Sequence, residues 1–91
     1  MSEFSRDFTI LNDKGLHARA SARFVEVVEN FNSEVIVEKD GLAASGSSIM
    51  GLLMLAASKG TNIKVTLNGD DAEELSIALD NLIKSKFGEE N

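Results

Sequence analysis

Cysteine, proline, tryptophan and tyrosine are all missing from this chain of 91 residues. Without cysteine there is neither a disulfide framework nor a thiolate metal site, which fits a reducing compartment. The only aromatics are five phenylalanines, so stacking of bases on a surface platform is not expected. Positive charge is also scarce. Nine Lys and Arg face fifteen Asp and Glu, for a formal net charge of -6. That balance argues against nucleic acid or an anionic membrane as the main partner. The longest apolar run, Ile49 to Ala57, is too short to span a bilayer. The opening Met1-Ser2-Glu3-Phe4-Ser5 lacks the basic start and apolar stretch of a signal peptide. A cytoplasmic setting is expected. A lone histidine has no obvious ligand partner, so no metal is expected. No G-x-x-x-x-G-K-[ST] loop is present, so the chain should not consume ATP, and no cofactor is implied.

What is there suffices for a single domain over residues 1–91. Apolar residues make up 43% of the chain, enough for one core but not two. Phe4 to Leu11 alternates as a half-buried strand does, with Phe8 and Ile10 on one side. Asn12-Asp13-Lys14-Gly15 is a turn. A helix should begin near His17, with Ala20, Phe24, Val27, Val28 and Phe31 on its apolar face. Glu34 to Lys39 and Leu42 to Ser45 read as a hairpin around Asp40-Gly41. Ser48 reads as the N-cap of a second helix, and Lys59-Gly60 as its stop. Asn62 to Leu67 is another strand. Asp71 and Glu74 stand at capping-box spacing before a last helix. Its stripe is Leu75, Ala78, Leu79 and Leu82, with Lys84 and Lys86 near its negative end. The order β-α-β-β-α-β-α predicts a two-layer α+β sandwich.

Chemistry concentrates in Gly15-Leu16-His17-Ala18-Arg19-Ala20. The only histidine falls at a helix start, where unpaired N–H groups and a partial positive charge favour anions. A neutral imidazole nitrogen there can attack phosphorus, and nearby amides can hold the phosphoryl oxygens. Arg19 adds a planar fork of donors suited to phosphate. The surrounding segment, with Lys14, Arg19 and Arg23, is locally basic within an acidic chain. Taken alone, a histidine at a helix start is more often a surface or capping residue. The acidic run Asp70, Asp71, Glu73 and Glu74 is better explained by capping and dipole complementarity than by a metal.

Gly15-Leu16-His17-Ala18-Arg19 resembles the phosphorylation-site signature of HPr, the histidine phosphocarrier family of the bacterial phosphotransferase system. Ser48-Ile49-Met50-Gly51-Leu52 is similar to that family's second signature, around its regulatory serine. The resemblance covers nearly the whole chain. It implies an open-faced sandwich of four antiparallel strands covered on one face by three helices. It implies a phosphoryl group carried on Nδ1 of His17, with Arg19 assisting transfer. Ser48 would be the serine modified by HPr kinase/phosphorylase. The implied partners are enzyme I as donor and IIA domains of sugar permeases as acceptors. The chain would act as a monomeric courier rather than an autonomous enzyme. Ala20 departs from the proline common in relatives, which softens the first helical turn but removes no reacting group.

The apolar residues of the second helix are too many for one buried stripe. Ile49, Met50 and Leu53, with Arg23 on the first helix, are therefore candidate docking residues. Two other functions are weighed. A carrier of a nitrogen-related or regulatory chain would use the same histidine with different partners. An α+β ligand-sensing module would tolerate any residue at position 17.

Overall fold

A computed structural model describes residues 3–91. Four strands and three helices follow one another along the chain. They are β1 (Glu3–Thr9), α1 (Ala18–Glu29), β2 (Glu34–Lys39), β3 (Leu42–Ser45), α2 (Ile49–Met54), β4 (Asn62–Asn68) and α3 (Ala72–Lys84), followed by a short 3-10 turn at Lys86–Gly88. The sheet order is β1-β4-β2-β3, with every neighbouring pair antiparallel. Strand alternation decides the two faces. Phe8, Val35, Val37, Ile63, Val65 and Leu67 point inward and are buried. On the open face, Asp7 is registered opposite Lys64, and Lys64 opposite Glu38. Opposite charges in facing positions suit a solvated sheet face.

The helices close the inner face, and the buried apolar residues form one cluster. In α1 the buried residues are Ala20, Ser21, Phe24, Val25 and Val28. Val27 and Phe31 are only partly buried at its margin, so the covered stripe is rotated slightly from the one expected. In α3, Ala72, Leu75, Ser76, Leu79 and Ile83 are buried, while Ala78 and Leu82 lie at the edge. Phe87, after α3, is fully buried with φ of 57°. Its aromatic payload holds the following residues against the domain.

Two expected boundaries are corrected. Lys59-Gly60 does not stop α2, which ends at Met54 with Leu55 as C-cap. Ala56 then takes φ of 52°. Leu55 and Ala57 turn into the core, and the Lys39 ammonium donates to the carbonyls of Leu55 at 3.1 Å and Ala56 at 3.4 Å. A cation on the last carbonyls replaces the glycine stop. The capping box at Asp71 does not form either, because its side chain makes no cap bond. The carboxylate instead accepts the Asn32 N–H at 2.8 Å and the Ser33 hydroxyl. It ties the start of α3 to the turn before β2. Glu73 and Glu74 remain in the first turn of α3, where negative charge is favourable.

Candidate functional site

The turn before α1 is clamped from two sides. Gly15 has φ of 65°, a conformation that favours glycine. A β-carbon there would overlap the Ala57 carbonyl and come 2.9 Å from Ser58 Cα. The next amide, Leu16 N–H, donates to Ala57 O at 2.9 Å, and the Leu16 side chain is buried. The loop after α2 thus sets where α1 begins. His17 is the N-cap, with extended backbone at φ −77° and ψ −176° and no side-chain cap bond. Its carbonyl accepts the first helical bond, from Ser21 N–H at 2.9 Å. The imidazole is therefore not spent on capping, and 26% of the side chain is exposed. The amides of the first helical turn lack intrahelical partners and give this end a partial positive charge.

The imidazole is engaged by the segment after α3. His17 Nε2 contacts Glu89 Oε2 in a hydrogen-bonded pair. The other carboxylate oxygen accepts from Asn12 Nδ2 at 3.0 Å, and the same amide donates to Gly15 O at 2.9 Å. Asn12 is fully buried. Burial pushes the Glu89 carboxyl up, but the His17 and Asn12 hydrogen bonds and the charges of His17 and Lys14 outweigh it and hold it below its ordinary range. Two further bonds secure the segment. Arg23 donates to the Phe87 carbonyl, and Asp13 N–H donates to Asn91 O at 3.1 Å.

Beside this pair lies an open cleft of about 390 Å³, lined by Lys14, Arg19, Glu89 and Glu90 among others. The stretch that reads as basic along the chain is thus electrically mixed in space. Asp13, on the same rim, pairs with Lys59 at 2.7 Å, and that hydrogen bond and charge lower its pKa. Arg19 is exposed and makes no salt bridge among the described residues. Its guanidinium is available to an anion at the helix start.

Ser48 is the N-cap of α2, and its Oγ accepts from Gly51 N–H at 2.9 Å. Helix α2 packs against α1. It leaves Ile49, Met50 and Met54 exposed at 39%, 68% and 75%, while Leu53 is half-buried. Arg23 lies on α1, but its guanidinium is already bonded to Phe87. Asn12 and Glu89 were absent from the residues singled out by sequence. An asparagine in a turn reads only as turn chemistry. Glu89 meets a residue 72 positions away, so local patterning carries no sign of the contact. Among the described residues, no group of three or more His, Cys, Asp or Glu is placed to hold a metal, and no helix is long and apolar enough to cross a membrane.

Residues 4–85 match the family model described as "PTS HPr component phosphorylation site". The chain is 50% identical over 80 residues to "Phosphocarrier protein HPr" of Neisseria meningitidis, covering 88% of this chain and 90% of that one. It is 44% identical over 84 residues to the protein of that name from Cupriavidus necator, covering 92% and 94%. A crystal structure of HPr from Thermoanaerobacter tengcongensis superposes with a TM-score of 0.89 at 45% identity, covering all of both chains.

Proposed function

The chain belongs to the HPr family of the phosphotransferase system, and from that premise we propose that His17 is its phosphoacceptor, loaded by enzyme I and discharged to IIA domains of sugar permeases. Membership makes it a phosphocarrier. The observation that supports His17 is its place as an uncapped N-cap. It is the chain's only histidine, it is partly exposed, and it makes no side-chain bond to its own helix.

In this reading a neutral Nδ1 attacks phosphorus, and the first amide N–H groups of α1 donate to the phosphoryl oxygens without reorganisation. Arg19 stabilises charge on the group as it moves between proteins. The apolar residues Ile49 and Met50, with Leu53 and Arg23, form the docking face. Ser48 is a regulatory site, phosphorylated by HPr kinase/phosphorylase. The protein works as a cytoplasmic monomer.

Incubation with enzyme I and phosphoenolpyruvate, followed by intact-mass measurement, tests the central claim. One phosphoryl group should be added, and it should be acid-labile as a phosphoramidate is. The His17→Ala protein should take up none. Normal phosphorylation of a folded His17→Ala protein would refute the assignment.

A further inference from the structure

We infer that Glu89 is a positioning residue for phosphoryl transfer: its carboxylate holds His17 in the tautomer that carries hydrogen on Nε2 and leaves the Nδ1 lone pair free to attack. The inference rests on the reading of His17 as the phosphoacceptor and adds how its reacting nitrogen is selected.

In free neutral imidazole either nitrogen can carry the proton, and the partner of one nitrogen decides the role of the other. Here Nε2 faces Glu89 Oε2. An ionised carboxylate only accepts hydrogen bonds, so the proton of the neutral ring resides on Nε2. The carboxylate is itself held in place. Asn12, fully buried, donates to its second oxygen at 3.0 Å. The buried Phe87 ring anchors the segment two residues earlier, and Arg23 grips the Phe87 carbonyl. Lys14, on the rim of the same cleft, adds favourable charge at the carboxylate.

The step balances without another reactant than the phosphoryl donor. The Nδ1 lone pair forms the new N–P bond. The donor's bond to phosphorus breaks, and its electron pair returns to the donor. Nε2 keeps its proton throughout. As the N–P bond forms, the ring gains positive charge and the Nε2–H becomes a stronger donor. The facing carboxylate then stabilises the ring more in the transition state than in the ground state. This is the logic of a carboxylate orienting a catalytic imidazole. Discharge to the acceptor runs the same steps in reverse.

The test separates this inference from the assignment of His17. Long-range ¹H–¹⁵N spectra of the unphosphorylated protein report the tautomer with no partner present. The Nε2–H form should predominate in the wild type and become mixed in Glu89→Ala. Glu89→Gln retains a carbonyl acceptor, so it should keep much of the preference while losing the charge. The rate of phosphorylation by enzyme I should fall about tenfold in Glu89→Ala, as when the group orienting a reactive imidazole is removed. It should fall less in Glu89→Gln and remain unchanged in Glu29→Ala, an exposed carboxylate at the far end of α1 from His17. An unchanged tautomer ratio in Glu89→Ala would overturn the inference. So would faster phosphorylation of that variant, which would make the carboxylate a cover over the imidazole. If the wild type shows the tautomer preference yet takes up no phosphate, the assignment of His17 fails while the Glu89 contact stands.

Discussion

At the scale of single residues, bonding separates the two cations on α1, which are both exposed. Arg23 is bonded to the Phe87 carbonyl, so its removal disturbs the segment that carries Glu89. Arg19 is exposed and free of salt bridges among the described residues. Its contribution should therefore appear in transfer and not in folding. Arg19→Lys keeps the charge but loses the planar fork of donors. Stability should change by less than about 0.5 kcal/mol, as for most surface substitutions. Transfer in both directions should slow by about tenfold, equivalent to roughly 1.4 kcal/mol of transition-state stabilisation. Thermal unfolding alongside rapid-quench kinetics with enzyme I and a IIA domain checks both parts. A lower melting temperature at unchanged transfer rate would reverse the assignment.

Among the elements, α2 is the one whose shortness matters. With six residues it cannot persist on propensity alone. Its N-cap, its buried Leu52 and Leu55, and the Lys39 ammonium at its far end hold it. Gly51 fits the same arrangement, because a β-carbon there would come 3.1 Å from both Ala44 Cβ and Ser48 Oγ. Ser48→Ala removes the cap and should cost about 1 kcal/mol, a fall of roughly 4–8 °C in melting temperature for a domain of this size. Ser48→Asp keeps an accepting oxygen and places negative charge where the helix end favours it. Its melting temperature should stay near that of the wild type. The added charge lies beside the exposed Ile49 and Met50, however, and desolvating it under a partner is costly. Phosphorylation of His17 by enzyme I should therefore slow. Calorimetry and initial rates on the same preparations separate capping from docking. A collapsed fold with intact docking would contradict this account.

Across the whole molecule, stability near neutral pH draws on carboxylates that bridge distant elements. The hydrogen bonds from the Ser33 hydroxyl and the Asn32 N–H hold Asp71 below the ordinary 3.8 despite the opposing effect of desolvation. In the unfolded chain that carboxyl binds its proton at higher pH than in the fold. The unfolded state therefore takes up more protons as pH falls, and the contribution of Asp71 is lost as pH drops through its folded pKa. The melting temperature should fall as pH drops below about 4, and Asp71→Asn should show a shallower fall. Thermal scans at stepped pH measure the difference between the two slopes. Equal slopes would remove Asp71 from the acid response.

The sequence by itself determined the element order, because period-2 and period-3.6 patterning are properties of neighbouring residues and survive without the fold. It also marked His17 and Arg19, since a glycine turn before an apolar helical pattern places both at a helix start. Only the tertiary structure decided where α2 stops, because Ala56 is held in a left-handed conformation while Lys39 satisfies the last carbonyls. The same holds for Asp71, whose local cap loses to Asn32 and Ser33, brought beside it from the turn before β2. It holds most of all for Glu89, which reaches His17 only after Phe87 has entered the core. Local spacing encodes which face of an element is apolar, whereas contacts between distant polar groups arise only once burial has set the elements side by side.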